Sequence, residues 1–228
     1  MIEFLFIDLD DTVLDFHKAE RRAITNTLTA FGIEPSEPVC ALYSRINIAH
    51  WQRLERGELT RQQVMHGRFA TLFAELGVTG DAALCSETYA NHLAMGHDFL
   101  PGAEEALERL SKKYRLYLAS NGNAAVQEKR LKSADIGRYF EDIFISQHLG
   151  ADKPSVPFFE RAFARIPDFD RSRAMIVGDS LTSDILGGNN AGIATCWVNP
   201  GHLPRRNDIR VDHEIEALSQ LEDLLETI

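Results

Sequence analysis

Apolar and polar positions along the chain fall into two regimes. Five short apolar runs, Glu3–Ile7, Leu116–Ser120, Ile143–Ser146, Ala174–Gly178 and Ile193–Val198, have the length and composition of buried strands. From residue 101 onward they alternate with helical patterns. Ala103, Ala106, Leu107 and Leu110 give the i, i+3, i+4, i+7 stripe of a helix opened by Pro101-Gly102. Its first turn holds Glu104 and Glu105 and its end Lys112 and Lys113, the order a helix dipole favours. A second helix is predicted over Ala124–Ile136, stopped by Gly137. A third buries Phe158, Phe159, Ala162, Phe163 and Ile166, and a fourth, short one runs from Asp184 to Ala191, ended by Gly192. This alternation predicts an α/β fold: a Rossmann-like parallel sheet with helices on both faces and right-handed crossovers.

Residues 14–96 carry helical stripes and no strand. Ile24, Leu28 and Phe31 form one stripe, and Val39, Leu42, Tyr43 and Ile46 another. Gly57 breaks the pattern, and Thr60-Arg61-Gln62-Gln63 is a capping box that starts the next helix. That helix buries Phe69, Leu72, Phe73 and Leu76 and stops at Gly77; one more is expected over Asp81–Met95. An all-helical domain, 14–96, therefore interrupts an α/β core made of 1–13 and 97–228. Leu14–His17 and Gly96–Gly102 are the expected hinges, side by side.

Composition narrows the partners. The 228 residues are 44% hydrophobic and 25% charged, the mixture of an ordinary globular protein, and the net charge is −10. An excess of 34 acids over 24 bases argues against nucleic-acid polymers and anionic membranes as partners. A small phosphorylated ligand stays compatible with that charge. Three scattered cysteines without Cys-x-x-Cys spacing, no basic leader and no bilayer-length apolar run point to a cytoplasmic protein with free thiols. A monomer or weak homo-oligomer is expected.

The first strand ends abruptly in Asp8-Leu9-Asp10-Asp11-Thr12. Acids so close raise one another's pKa unless a cation or a shared proton intervenes. Crevices at the carboxyl ends of parallel strands are where such sheets bind ligands. The other strands also end in polar residues. They are Ser120-Asn121-Gly122, Asp179 with Asp184 beyond it, and, after the third strand, Lys153-Pro154, where the proline can open a helix. Strand alternation points residues 8 and 10 the same way and Leu9 into the core. These residue types suit phosphoryl transfer to a carboxylate. Asp8 and Asp179 can supply oxygen ligands for Mg²⁺, a hard cation. One aspartate attacks phosphorus, and a second acid protonates the leaving oxygen and later activates water. Ser120, Lys153 and backbone N–H groups can neutralise the transferring group.

Asp-Leu-Asp-Asp-Thr, Ser-Asn-Gly, Lys-Pro and Gly-Asp-Ser-Leu-Thr-Ser-Asp, in this order, resemble the four motifs of the haloacid dehalogenase superfamily, and the helical insertion resembles its mobile cap. The resemblance spans the whole chain. It implies that Asp8 is nucleophile and Mg²⁺ ligand, and that Asp10 is general acid/base, ligating through its carbonyl. Ser120 and Asn121, with Gly122, would bind the phosphoryl group; Lys153 would pair with Asp8; Asp179 and Asp184 would complete the metal site. Asp10 argues for a phosphatase, since dehalogenases of the superfamily lack an acid there. Asp11 departs from the commoner glycine, though the Asp-Asp-Thr variant also occurs. The stretch Gly178–Trp197 and the cap segment His66-Gly67-Arg68-Phe69 are similar to bacterial pyrimidine 5′-nucleotidases of the superfamily, which hydrolyse UMP, dUMP and dTMP.

In the cap, Asn47, Trp51 and Arg68, with His50 and Arg61, are candidates for substrate contact; the alternative places Trp51 in the cap's core and the arginines in solvent. The core motifs leave a phosphoglycolate phosphatase, a sugar-phosphate phosphatase or a phosphomutase open, because specificity resides in the cap. A receiver-like phosphoacceptor domain shares strand-end acids, a hydroxyl and a lysine, but lacks both the insertion and acids beyond the lysine.

Overall fold

The computed structural model describes residues 1–228, which divide into two compact units, Met1–Asp15 with His97–Ile228, and Phe16–Gly96. The larger unit is built on a parallel sheet of six strands: β1 (Phe4–Ile7), β2 (Arg115–Ser120), β3 (Asp142–Ile145), β4 (Ala174–Gly178), β5 (Ala194–Val198) and β6 (His213–Ile215), in the order β3-β2-β1-β4-β5-β6. The pleat of β1 explains why the sheet needs helices on both faces. Leu5 and Ile7 join the apolar layer formed by α5 (Ala103–Leu110), α6 (Ala124–Ser133) and α10 (Leu221–Leu225). Phe4 and Phe6 turn the other way, onto Phe158, Phe159 and Phe163 of α8 (Val156–Phe163). All four β1 residues are completely buried.

Four sequence expectations need correction. The sheet has a sixth strand, β6: three residues, His-Glu-Ile, at its edge are too short and too polar to register as an apolar run. Helix α6 ends at Ser133, because Asp135 takes a left-handed φ of 51° and a 3₁₀ turn, Ile136–Tyr139, follows. Pro154 does not open a helix: beyond the single turn α7 (Ser146–Leu149) it follows Lys153 through a cis peptide bond, and α8 starts two residues later with Ser155 as its N-cap. The segment after β4 is a π-helical turn, Leu181–Ile185, before α9 (Leu186–Ala191) begins. Asp184 therefore does not open that helix; it lies inside the π-helical turn, 1% exposed.

Beyond the carboxyl end of β1, Leu14 bridges Phe99 in antiparallel fashion, and the Asp15 N–H donates to the Asp98 carbonyl at 2.9 Å. The smaller unit consists of α1 (Phe16–Ala30), α2 (Glu37–Glu55), α3 (Arg61–Leu76) and α4 (Ala82–Leu93). Both ends of α3 follow from local chemistry. Thr60 and Gln63 exchange the two bonds of a capping box, and Gly77 takes the left-handed φ of 64° that ends the helix. Tyr43, Phe69 and Tyr89 pack ring on ring at 5.2–5.5 Å in its interior. No helix is long and apolar enough to cross a membrane.

Candidate active site

The order of the strands reverses direction at β1. From it the chain builds β2 and β3 on one side and β4 to β6 on the other, so the loops after β1 and β4 part and leave a crevice. Asp8 follows β1 and extends its ladder, its N–H donating to the Val177 carbonyl at 2.9 Å. Asp179 follows β4. Leu9 points into the core, fully buried, and so leaves Asp8 and Asp10 on the crevice side. Asp11 sits at φ 55°, a left-handed conformation that explains why glycine suits this position and why the short side chain of aspartate is tolerated.

Lys153 is the hub. It is 1% exposed, and its ammonium spends its three N–H donors on Asp8 Oδ1 (2.7 Å), Asp184 Oδ1 (2.6 Å) and the Ala119 carbonyl (2.5 Å). Burial opposes that charge, yet Asp184 and Asp8 together hold the lysine above its ordinary pKa, so it is an ammonium. Asn121 fixes the lysine's backbone: its Nδ2 donates to the Lys153 carbonyl at 2.8 Å and its Oδ1 accepts from the Lys153 N–H at 2.9 Å. The Asn121 side chain thereby ties the loop after β2 to the loop that carries Lys153.

Asp8, Asp179 and Asp184 can each present a carboxylate oxygen within 4.8 Å of the others. One ammonium thus faces three acids in a largely buried place. Burial pushes the Asp8 carboxyl up to about 8 against the pull of Lys153, and Asp184 and Asp10 add to the rise. Burial likewise raises Asp179 well above the usual carboxylate range, reinforced by Asp8 and Asp184. Such a cluster binds a proton or a cation, and its all-oxygen donor set fits a hard divalent ion. The glycine before Asp179 is required by the same arrangement. A Cβ on Gly178 would lie 2.3 Å from Asp184 Oδ2, the oxygen that accepts from the Ser180 N–H at 3.1 Å.

Ser120 ends β2 with a hydroxyl whose bonding is directional. Its oxygen accepts from the Gly122 N–H at 3.1 Å and from Gln127 Nε2 at 3.0 Å. With both acceptor sites used, its hydrogen is what Ser120 has to give, as an anion-binding hydroxyl requires. The Asp10 carboxylate is bonded from α6 and not by Lys153. Gln127 Nε2 donates to its Oδ2 at 2.7 Å and Arg130 Nη1 to its Oδ1. Neither Gln127 nor Arg130 was singled out in the sequence. A signal was available: both fall in the buried stripe of α6 with Ala124 and Leu131, where polar residues need a partner.

Of the cap candidates, Asn47 and Arg68 are 2% and 4% exposed and bonded to each other, Arg68 Nη1 donating to Asn47 Oδ1 at 2.7 Å. Asn47 Nδ2 in turn donates to Glu20 Oε1 at 2.7 Å, and Ser44 Oγ to Glu20 Oε2 at 2.5 Å. The Arg68 guanidinium also lies 4.8 Å from the centre of the Tyr89 ring. Arg68 is thus in the interior of the cap and not in solvent; Glu20, its counter-charge through Asn47, went unrecognised on the first helix. Trp51 is partly buried beneath the Arg61 guanidinium at 5.4 Å, and His50 Nδ1 pairs with the Ile46 carbonyl at 2.9 Å.

Residues 2–192 match the family model described as haloacid dehalogenase-like hydrolase. The chain is 36% identical to the pyrimidine 5′-nucleotidase PynA of Streptococcus pneumoniae, over 98% of this chain and 95% of that one. It is 32% identical to the pyrimidine 5′-nucleotidase YjjG of Escherichia coli, covering 98% and 97% of the two chains. The crystal structure of the HAD-hydrolase YfnB of Bacillus subtilis, bound to magnesium, superposes with a TM-score of 0.94 at 37% identity and 98% coverage of both chains.

Proposed function

The chain belongs to the haloacid dehalogenase-like hydrolase family and is a phosphatase of that family, and we propose that it hydrolyses nucleoside 5′-monophosphates, pyrimidine ones foremost, with Mg²⁺ and through an aspartyl-phosphate on Asp8. The observation that carries this reading is the division of labour at the strand ends. Asp8 is held by an ammonium, Asp10 by separate donors from α6, and the Ser120 hydroxyl is left as a donor. Mg²⁺ bound by Asp8, Asp179 and Asp184, with the Asp10 carbonyl, would neutralise phosphate oxygens and hold Asp8 ionised.

The residues then have distinct tasks. Lys153 orients Asp8 Oδ1, and Ser120 donates to a phosphate oxygen. The other Asp8 oxygen attacks phosphorus; the ester P–O bond breaks, and its electron pair takes a proton from Asp10. Water next attacks the phosphoryl group, its proton passing to Asp10, and the Asp8–phosphorus bond breaks to release phosphate. Asp184 keeps the lysine in place, as Asn121 does from the backbone side.

The pyrimidine preference rests on the relatives named above and on the similarity of His66–Phe69 and Gly178–Trp197 to that group. The test is phosphate release from UMP, dUMP, dTMP, AMP, phosphoglycolate and hexose phosphates, with Mg²⁺ and with EDTA. Pyrimidine nucleotides are expected among the best substrates, and activity is expected to vanish in EDTA. A preference for phosphoglycolate or a hexose phosphate would overturn the nucleotide assignment. An isomerised ester with little free phosphate would make the protein a mutase.

A further inference from the structure

Both oxygens of the Asp10 carboxylate are occupied by one face of helix α6. Gln127 Nε2 binds Oδ2 at 2.7 Å, Arg130 Nη1 binds Oδ1, and Arg130 Nη1 also donates to Gln127 Oε1 at 2.9 Å. Gln127 and Arg130 are each 1% exposed, whereas the Asp10 side chain is 28% exposed. A buried pair therefore grips a side chain that lies beyond the end of its strand, on a segment whose backbone is fixed by the bridge between Asp10 and Leu14. Gln127 Nε2 simultaneously donates to Ser120 Oγ at 3.0 Å, so one amide nitrogen spans the expected proton-transfer group and the expected phosphate-binding hydroxyl.

The local sequence is shaped around this contact. A Cβ on Gly122 would fall 2.2 Å from Gln127 Nε2 and 2.5 Å from its Cδ, so the amide reaches Asp10 through space that only glycine leaves open. Asn123 caps α6, its Oδ1 accepting from the Val126 N–H at 3.2 Å, which anchors the first turn from which Gln127 projects.

We propose that Gln127 and Arg130 are positioning residues for the proton transfer by Asp10, and that Gln127 sets the offset between Asp10 and Ser120. The inference rests on the mechanism proposed above, in which Asp10 donates a proton to the departing ester oxygen. That step matters greatly for an alkyl ester, whose alkoxide is a poor leaving group. It matters little for p-nitrophenyl phosphate, whose phenolate departs without a proton. A loss of general acid positioning therefore divides the two ester types, whereas a loss of folded protein scales both equally.

The experiment compares kcat/KM for benzyl phosphate and p-nitrophenyl phosphate, of similar size and lacking a base, in wild type, Asp10→Asn, Gln127→Ala and Arg130→Met, all with Mg²⁺. The parameter kcat/KM reports the steps through phosphoryl transfer to Asp8 and is blind to later hydrolysis. Gln127→Ala and Arg130→Met are expected to lose about 100-fold on the benzyl ester and less than about 10-fold on the aryl ester, within the span of general acid catalysis. Equal losses on both esters in these variants, with Asp10→Asn still dividing them, would overturn the proposal. If Asp10→Asn itself fails to divide the esters, the role of Asp10 is wrong and the proposal falls with it.

Discussion

The two units of this protein bury polar side chains in opposite ways. In the cap, Glu20, Ser44, Asn47 and Arg68 form a chain in which one carboxylate and one guanidinium are linked through an amide. In the core, a single ammonium faces Asp8, Asp179 and Asp184, and burial raises the pKa of Asp8 and of Asp179. A charge-balanced cluster needs no added ion and links the helices that carry it. An unbalanced one is stable only with a proton or a cation, and is where a phosphate ester and its metal can be received.

The comparison is broken most severely at Asp8. Asp8→Asn keeps the shape but removes the proposed nucleophile, so phosphate release is expected to fall to background for every ester; undiminished release by the purified variant would end the mechanism. Gly178→Ala comes next. It drives a methyl group against Asp184, displacing a partner of Lys153, and such a misplacement is expected to cost about 100-fold in kcat. If activity survives intact, the Lys153–Asp184 contact is not needed to orient Asp8.

The cap gives a contrasting prediction. Arg68→Met leaves Asn47 Oδ1 without its donor and Glu20 without its counter-charge, and is expected to cost about 2 kcal/mol of stability, read by thermal unfolding. The turnover of p-nitrophenyl phosphate, which carries no base for the cap to recognise, should change little. A collapse of aryl-ester turnover in a folded Arg68→Met protein would mean that the cap network serves the chemistry as well.

A smaller effect tests the charge imbalance by pH. The folded protein binds the Asp8 proton more tightly than the unfolded chain, because its pKa is raised from 3.8 to about 8. That contribution is complete below 3.8 and is lost as pH rises through about 8. Metal-free wild type should therefore lose Tm over this range relative to Asp8→Asn, and Mg²⁺ should restore it most at the upper end. Parallel pH profiles for the two proteins would show that the acids are not in electrostatic conflict.

Much of the core site could be read from the chain because its residues stand where patterns change. An apolar strand halting at Asp8, a polar triplet at Ser120 and an acid after Gly178 are visible as breaks in periodicity. Glu20, Gln127 and Arg130 were invisible for the opposite reason. They lie within helices, where a polar residue reads as solvated unless its place in the buried stripe is weighed. Asp184 reads as the start of a helix because sequence spacing cannot distinguish an α-helical first turn from a π-helical one. The edge strand β6 is legible only through its pairing with β5, which a three-residue segment does not announce.

The central claim is that Asp8 accepts the phosphoryl group. It is tested most directly in Asp10→Asn, where formation from p-nitrophenyl phosphate needs no acid and hydrolysis has lost its base. Protein incubated with that ester and Mg²⁺, quenched in acid and digested, should carry one phosphoryl group on the peptide containing Asp8, and none when Asp8 is also replaced by Asn. Phosphate on any other residue, or an unmodified Asp8 peptide while p-nitrophenol is released, would contradict the account.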